Sequence, residues 1–530
     1  MKYEYNTIIK NWNNIDLSIG LIYPNIYEIG LSSYAIRLLY SYINSYDNIV
    51  CERIFLPKYT KYPASEDVQS EGILNSIENQ IHPKKFDILG FSVQFENDIR
   101  NVLWILEKSG IPISNKVRMK ERIEKKNQYP LIVGGGPVIT SNPISLNKIF
   151  DIDFIGDAEP NLDNFLKTYI NFKSNNNNDL KIYLKNLSES RGIYIPLLKN
   201  KVRRVIIKNI DDSEIPINQI KVYSNSKKKA FEDCFFIEVN RGCPYQCKFC
   251  ISSYHNLPFR NRSLENIKLV IERAKESQEI ETISLIGSCV SVHPKFYEIC
   301  ELIIENKIRL TIPSLRIDHL SEKIIKILER GNIKTITVAP ETGSEELRYN
   351  LGKKISNLQI LQTLERIKDS KIENVKLYFL IGLPNEKEAD IDAIINLIKK
   401  IDKLKFNKKS IRVSINPLIP KLNTPYEKEV NWYIGDNLSM LKSRFEKIQK
   451  ELKGLVSINL KVYKINNLIK NAKLQTLISL GNERVSELLI NYYHYGANFG
   501  SLRRAEKNLN FSIKDYFIKI KDGYSPWKLK

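Results

Sequence analysis

Long apolar runs are missing from this chain of 530 residues. None reaches the roughly 18 residues needed to cross a bilayer, which argues against a helical membrane span. The opening, MKYEYNTIIKNWNN, lacks the charged-then-apolar pattern of a secretory signal, so a cytoplasmic protein is expected. Cysteine is sparse: there are seven, and three of them, Cys243, Cys247 and Cys250, are clustered. That distribution speaks against a disulfide framework and for metal binding. Acidic residues are in deficit, 60 against 81 Lys and Arg, leaving a formal charge of +21. Such a charge suits an anionic partner (nucleic acid, a lipid headgroup or a phosphorylated substrate), although a merely Lys-rich surface would produce it too. No internal repeat at solenoid spacing is found.

What is present reads as globular, 42% hydrophobic and 27% charged, and the length predicts two or three domains. The fold class is α/β. Over residues 1–170 short apolar strands (Leu17 to Tyr23, Ile49 to Leu56, Phe86 to Val93, Leu131 to Val133, Ile152 to Ile155) alternate with helical stretches such as Ser32 to Tyr46. Alternation of this kind predicts a doubly wound parallel sheet, with ligands at the carboxyl ends of its strands. Gly30, the turn Gly134-Gly135-Gly136-Pro137 and Gly156-Asp157-Ala158-Glu159 lie at such ends. Residues 171–230 read as a connector with a few strands, a polar Lys173 to Asp179 stretch and a solvated charge run, Lys227-Lys228-Lys229. From 231 to 455 six further strands, starting at Phe235, Thr282, Arg309, Thr335, Val375 and Ile411, predict a partial (β/α)6 barrel with its chemistry at the strand carboxyl ends. Residues 456–530 give a strand and then mostly helix.

The decisive segment follows the first barrel strand: Arg241-Gly242-Cys243-Pro244-Tyr245-Gln246-Cys247-Lys248-Phe249-Cys250. Three thiolates in one loop wrap a cube of iron and sulfide and leave one iron open, whereas such a cluster otherwise takes four. A structural zinc site would need four closed ligands. The nearest imidazole, His255, is five residues on, and no second cysteine pair appears. The loop resembles that of the radical S-adenosylmethionine superfamily. The resemblance implies a [4Fe-4S] cluster on Cys243, Cys247 and Cys250. It also implies S-adenosyl-L-methionine chelated to the open iron, a ferredoxin- or flavodoxin-type electron donor, and abstraction of hydrogen from an unactivated C–H bond by a 5′-deoxyadenosyl radical.

The same resemblance places cofactor contacts along the barrel. Phe249 is the loop aromatic. Gly287 and Ser288 end the second strand, where the family has a Gly-rich turn for the methionine amino group, although the usual Gly-Gly-Glu is absent. Ser314 and Arg316 after the third strand, with Glu341 after the fourth, look like ribose and carboxylate contacts built on an Arg–Glu arrangement. Gly382, in Ile381-Gly382-Leu383-Pro384-Asn385-Glu386, resembles the adenine-side loop. Of the other cysteines, Cys51 and Cys300 suit the core, and Cys289 lies near the expected pocket as a hydrogen donor, a cluster neighbour or a spectator.

The first sheet resembles the cobalamin-binding domain that precedes many such barrels. Where those domains place an axial His, this chain has Asn25-Ile26-Tyr27-Glu28-Ile29-Gly30, so either cobalamin binds without that imidazole or the domain has lost the cofactor. The stretch His494 to Gly500 with Arg503-Arg504 resembles a tail motif of the same proteins; it suits a barrel cap, an acidic-substrate contact or a helix-packing turn. Two enzymatic functions follow. One is carbon–carbon bond formation, as in the archaeal enzymes that build cyclopentane rings into glycerol dibiphytanyl glycerol tetraether membrane lipids, with the basic protein docked peripherally on anionic headgroups. The other is cobalamin-dependent methyl transfer to a lipid, RNA or peptide. No appended RNA-binding domain is recognisable, which disfavours nucleic acid.

Overall fold

The computed structural model describes residues 3–57, 74–124, 126, 128–175, 179–223, 234–435, 437–461 and 464–529. The Lys227–Lys229 run and Asn176 to Asn178 lie outside them. The first half contains β1 (Tyr3–Tyr5), β2 (Leu17–Ile26), β3 (Ile49–Leu56), β4 (Ile88–Ser92), β5 (Leu131–Gly135), β6 (Ile152–Phe154), β7 (Ile193–Tyr194) and β8 (Lys221–Tyr223). Six of these form one sheet in the order β3-β2-β4-β5-β6-β7. All neighbours are parallel except β7, which runs antiparallel to β6. The connector therefore contributes an edge strand to the first sheet, and its β8 pairs with β1 in a separate ribbon.

Parallel strands covered on both faces read as unbroken apolar runs, and all eight residues of β3 are buried. One face packs under the helices Tyr34–Asn44 and Glu159–Ser174, through Ile36, Ile43, Phe165 and Leu166 against Ile19, Leu21 and Ile88. The other packs under helix Ile99–Lys108, and the same core continues into the C-terminal helices through Leu477, Leu488, Tyr492 and Phe517. The helical tail thus completes the first domain. Asn142 Nδ2 donates to the carbonyls of Ser479 and Gly481 at 3.1 and 2.8 Å, and Tyr493 donates to Glu107 at 2.6 Å. The tail motif is a packing turn there: Asn498 accepts from Ser501 N–H to start helix Phe499–Asn508, and Arg504 stacks 4.3 Å from the Tyr495 ring.

The second half contains β9 (Phe235–Arg241), β10 (Arg260–Asn261), β11 (Thr282–Gly287), β12 (Arg309–Thr311), β13 (Thr335–Glu341), β14 (Asn374–Ile381), β15 (Ile411–Pro417) and β16 (Ile458–Leu460). Two ladders, β10-β9-β11-β12 and β13-β14-β15-β16, meet where Leu315 N–H donates to the Thr337 carbonyl at 2.9 Å. Only β10 is antiparallel, to β9. The six expected barrel strands are present, and β16, expected with the tail, joins β15 as a seventh parallel strand. Amphipathic helices cover the outside. Helix Leu264–Ser277, for example, buries Ile267, Val270, Ile271 and Ala274 at helical spacing and is capped by Ser263. At the β9 edge the barrel is met by helix Tyr34–Asn44 of the first domain, whose Tyr34 and Leu38 pack on Cys234 and Phe236. Among the described residues no helix is long and apolar enough to cross a membrane.

Because the tail completes the first domain's core, Leu477→Ala, at a fully buried position, should cost about 2–5 kcal/mol. Urea unfolding followed by circular dichroism measures it; a loss under 1 kcal/mol would mean the tail packs loosely.

Candidate active site

The end of β9 turns into the cysteine loop through Gly242, at φ +78°, where a Cβ would sit 2.5 Å from the Asn256 carbonyl. Glycine is required there by both geometry and space. Cys243 and Cys247 are buried and Cys250 is half-buried. Cys250 N–H donates to the Cys247 carbonyl and Lys248 N–H to that of Leu351, both at 2.9 Å, and Tyr426 N–H donates to Lys248. The loop is thereby seated on the segment after β13. Burial pushes the Cys247 thiol up to about 11 against the opposing pull of Lys353 and Arg316. The neighbouring Cys289 side chain draws the Cys243 thiol downward.

The donor set fits a cluster. Among the described residues no three His, Cys, Asp or Glu converge as one metal ion requires. A cubane takes its thiolates on different irons and needs no such convergence.

The other expected contacts are distributed unevenly around this loop. Phe249 packs on Leu347, Leu351, Leu383 and Leu418, which ties the cysteine loop to the Gly382 loop. Gly287 follows a register shift in β11 and lies against Asn240, so that any side chain there would collide with Asn240 Oδ1. Ser288 lines the interdomain cavity described below, and Ser314 is exposed. Arg316 and Glu341 are each held by a partner of their own. Arg316 is held by Asp318, two residues on, at 3.0 and 2.8 Å, and stacks 3.5 Å over the Tyr245 ring. Glu341 instead pairs with Lys353 at 2.5 Å, in a buried contact. Glu341 also has φ +67°, a left-handed conformation uncommon for a non-glycine residue. Lys353 was not anticipated; its only signal is a lysine beside Gly352. Gly382 N–H donates to Glu386 at 2.8 Å, and Glu386 meets Arg444 at the same distance. Burial pushes the Glu386 carboxyl up to about 7.

A cavity of about 550 Å³ runs between the domains. Its deep end is an apolar shaft between sheet and helices, lined by Ile19, Leu21, Ile43, Ile88 and Leu166. Its upper end reaches Asn240, Gly287 and Ser288 beside the cysteine loop. Two glycines face the space: a Cβ on Gly135 would meet nothing within 4 Å among the described residues, and one on Gly90 only Leu21 at 3.9 Å. Among the described residues the Tyr34 hydroxyl, Asn240 Oδ1 and His255 Nδ1 find no hydrogen-bond partner, and all three residues line this cavity. His255 Nε2 lies 2.9 Å from the Leu422 carbonyl, so its proton is on Nε2, and burial pushes its pKa down to about 4. The imidazole is neutral. At the Asn25–Gly30 position Asn25 is bonded to Asp98 at 2.9 Å. The apolar lining over the first sheet suits an aromatic base such as that of a corrinoid's nucleotide tail, and the polar groups at the barrel side suit the amides that rim its ring.

A βα barrel with a three-cysteine loop on its first strand, joined through a shared cavity to a doubly wound sheet, defines an iron–sulfur radical enzyme. The family model described as Radical SAM superfamily matches residues 237–398, and that described as Radical SAM proteins, N-terminal, matches 35–196. The chain belongs to the radical SAM superfamily. An uncharacterized protein of Methanocaldococcus jannaschii is 28% identical over 491 residues, 92% of this chain and 94% of its own. An uncharacterized methyltransferase of Pyrococcus horikoshii is 26% identical over 282 residues, 52% of this chain and 59% of its own. Among solved structures, the radical S-adenosylmethionine methyltransferase TsrM of Kitasatospora setae superposes with a TM-score of 0.53 at 14% identity, over 78% of this chain and 75% of that one. OxsB, a cobalamin-dependent S-adenosylmethionine radical enzyme, gives 0.50 at 14% identity over 95% and 78%. At these identities the structural likeness is one of fold.

Purified without oxygen, the protein should hold about four irons per chain and lose them in Cys247→Ala. Lys353→Met should keep the iron but weaken S-adenosylmethionine binding by roughly 1–3 kcal/mol, because Glu341 is left unpaired. Iron analysis and equilibrium binding check the pair; tight binding in Lys353→Met would place the cofactor elsewhere.

Proposed function

We propose that this chain is a cobalamin-dependent radical S-adenosylmethionine methyltransferase. The carrying observation is the interdomain cavity, which runs from the glycine turns of the first sheet to Arg241 and Ile251, the residues on either side of the three cysteines. When bound, the cluster with S-adenosylmethionine supplies one-electron bond cleavage and a corrinoid supplies a methyl carrier. The chain's own residues bind, orient and shield. Cys243, Cys247 and Cys250 hold the cluster, and the exposed Pro244, Gln246 and Lys248 of the loop offer a ferredoxin- or flavodoxin-type donor its approach. The Glu341–Lys353 pair faces the S-adenosylmethionine side. Gly90 and Gly135 let a flat ring lie against the backbone, while Ile19, Leu21 and Ile88 would take the aromatic base of its nucleotide tail. Asn25 to Gly30 offers the metal of that ring no imidazole. The methyltransferase named among the relatives supports this reading.

Ring formation in a tetraether lipid remains the second reading, because hydrogen abstraction is the way into a saturated chain. It needs no methyl carrier, and the shaft in the first domain favours methyl transfer. The basic charge suits an anionic acceptor of any kind, and RNA is disfavoured only because no appended RNA-binding domain is recognisable.

Anaerobic reconstitution with cobalamin, followed by assays of 5′-deoxyadenosine and S-adenosylhomocysteine, tests the proposal. Stoichiometric cobalamin uptake with both products formed is expected. Gly135→Leu should fill the cavity and abolish uptake while leaving iron content unchanged. No uptake by the iron-loaded wild type would overturn the methyltransferase reading and return the choice to ring formation.

A further inference from the structure

The polar wall of the cavity between the domains is one-sided in what it can bind. Arg241 is the one Lys or Arg among its described lining residues, against Asp157, Glu159 and Glu238. Its guanidinium is already committed to those carboxylates, at 3.1, 2.6 and 2.8 Å. Arg260 backs Asp157 at 2.8 Å but does not line the space. Among the described residues no cation on the wall is left over for a carboxylate on a ligand. Such a group would sit beside three like charges that the arginines only partly offset.

Two further side chains on this wall carry an acceptor with nothing to accept. His255 is 3% exposed, and its Nε2 lies 2.9 Å from the Leu422 carbonyl. A carbonyl only accepts, so Nε2 carries the ring's proton. Nδ1 has no partner among the described residues. A buried ring with no carboxylate against it stays neutral, so Nδ1 is a bare lone pair. Asn240, 1% exposed, is fixed in the same way: its Nδ2 donates to the Cys289 carbonyl at 2.9 Å. That contact orients the side-chain amide and leaves Oδ1 as the second acceptor without a donor. The Tyr34 hydroxyl, also unpartnered among the described residues, can give or take a proton and discriminates nothing. A buried acceptor left unpaired is costly, so the occupant that fits this wall brings N–H groups. A primary carboxamide brings two, with a carbonyl that Tyr34 can serve and no charge. A carboxylate of the same size brings acceptors only.

We propose that the cavity selects a corrinoid by the amides on its rim. His255 Nδ1 and Asn240 Oδ1 accept N–H groups there, and a corrinoid with a carboxylate in that place is rejected. The inference rests on the cobalamin reading of this cavity and adds the rule by which the cavity chooses among corrinoids. His255 and Asn240 both belong to the barrel, one beyond the cysteine loop and one before it, so the ring is gripped from that side as well as from the glycine turns.

Equilibrium binding of hydroxocobalamin and of its separated monocarboxylic acids, each with one rim amide hydrolysed, is measured by absorbance on the iron-loaded full chain. These ligands share one nucleotide tail and differ only at the rim. The wild type should bind the amide form about tenfold or more tighter than at least one of the acids. His255→Phe should weaken the amide form by about tenfold and that acid far less, so that the preference collapses. His255→Gln should keep the preference, because its nitrogen can donate to Leu422 while its oxygen accepts from the ligand. Equal wild-type affinity for cobalamin and all of its acids would overturn the proposal, whether or not a variant folds. An undiminished preference in iron-loaded His255→Phe and Asn240→Leu would overturn it too. Failure of the iron-loaded wild type to take up cobalamin at all would instead refute the reading of the cavity on which it rests.

Discussion

Arg241 ends β9 with its guanidinium among three carboxylates: Asp157 at 3.1 Å, Glu159 at 2.6 Å and Glu238 at 2.8 Å. Asp157 is shared with Arg260 at 2.8 Å. Asp157 and Glu159 come from the loop after β6 in the first domain, while Glu238, Arg241 and Arg260 come from the barrel. All are largely withdrawn from water, so each charge depends on the others. Taking away one partner of such a set strands the remaining charges, at about 3–5 kcal/mol. The next residues after Arg241 are Gly242 and Cys243. The point at which the cysteine loop leaves its strand is therefore fixed by the first domain as well as by the barrel.

This constraint explains how the two kinds of chemistry meet in one cavity. The same Gly156-Asp157-Ala158-Glu159 loop lines the cavity and supplies the carboxylates, and Glu238 and Arg241 line it from the other side. A ligand resting on the glycine turns then touches residues that brace the cluster loop. Glu386 and Arg444 brace a second loop at the same carboxyl end of the barrel in a similar way through Gly382, where the carboxylate accepts a backbone N–H and a guanidinium together.

Much of the strand order was legible in the chain. Parallel strands buried on both faces announce themselves as apolar runs, and Ile49 to Leu56 coincides with β3. The cysteine loop was legible because all its ligands are local. Contacts between distant loops were not. Sequence reading places Arg316 and Glu341 at neighbouring strand ends but cannot say that Asp318 and Lys353 reach them first. Nor does helical periodicity say which core a helix joins. Leu477 and Phe517 are apolar at suitable spacing, yet only the fold sends them to the first sheet and not to the barrel. His255 read as a missing zinc ligand; its neutral ring at the cavity wall follows from the carbonyl of Leu422, 167 residues away.

Helix Tyr34–Asn44 carries the coupling one step further. Ile36, Tyr40 and Ile43 belong to the core of the first domain, whereas Tyr34 and Leu38 belong to the cluster that meets β9. Arg37 lies between these sets, 4.1 Å over the Phe236 ring and donating to the Cys234 carbonyl at 2.7 Å. One helix thus covers the first sheet, lines the shared cavity and seats the first barrel strand. A ligand that displaced Tyr34 or Leu38 would press on β9, the strand whose end carries Arg241 and the cysteine loop. Packed interiors transmit such displacements because they contain little free space to absorb them. The cavity wall and the start of the cluster loop are therefore joined by this helix as well as by the ion pairs of Arg241.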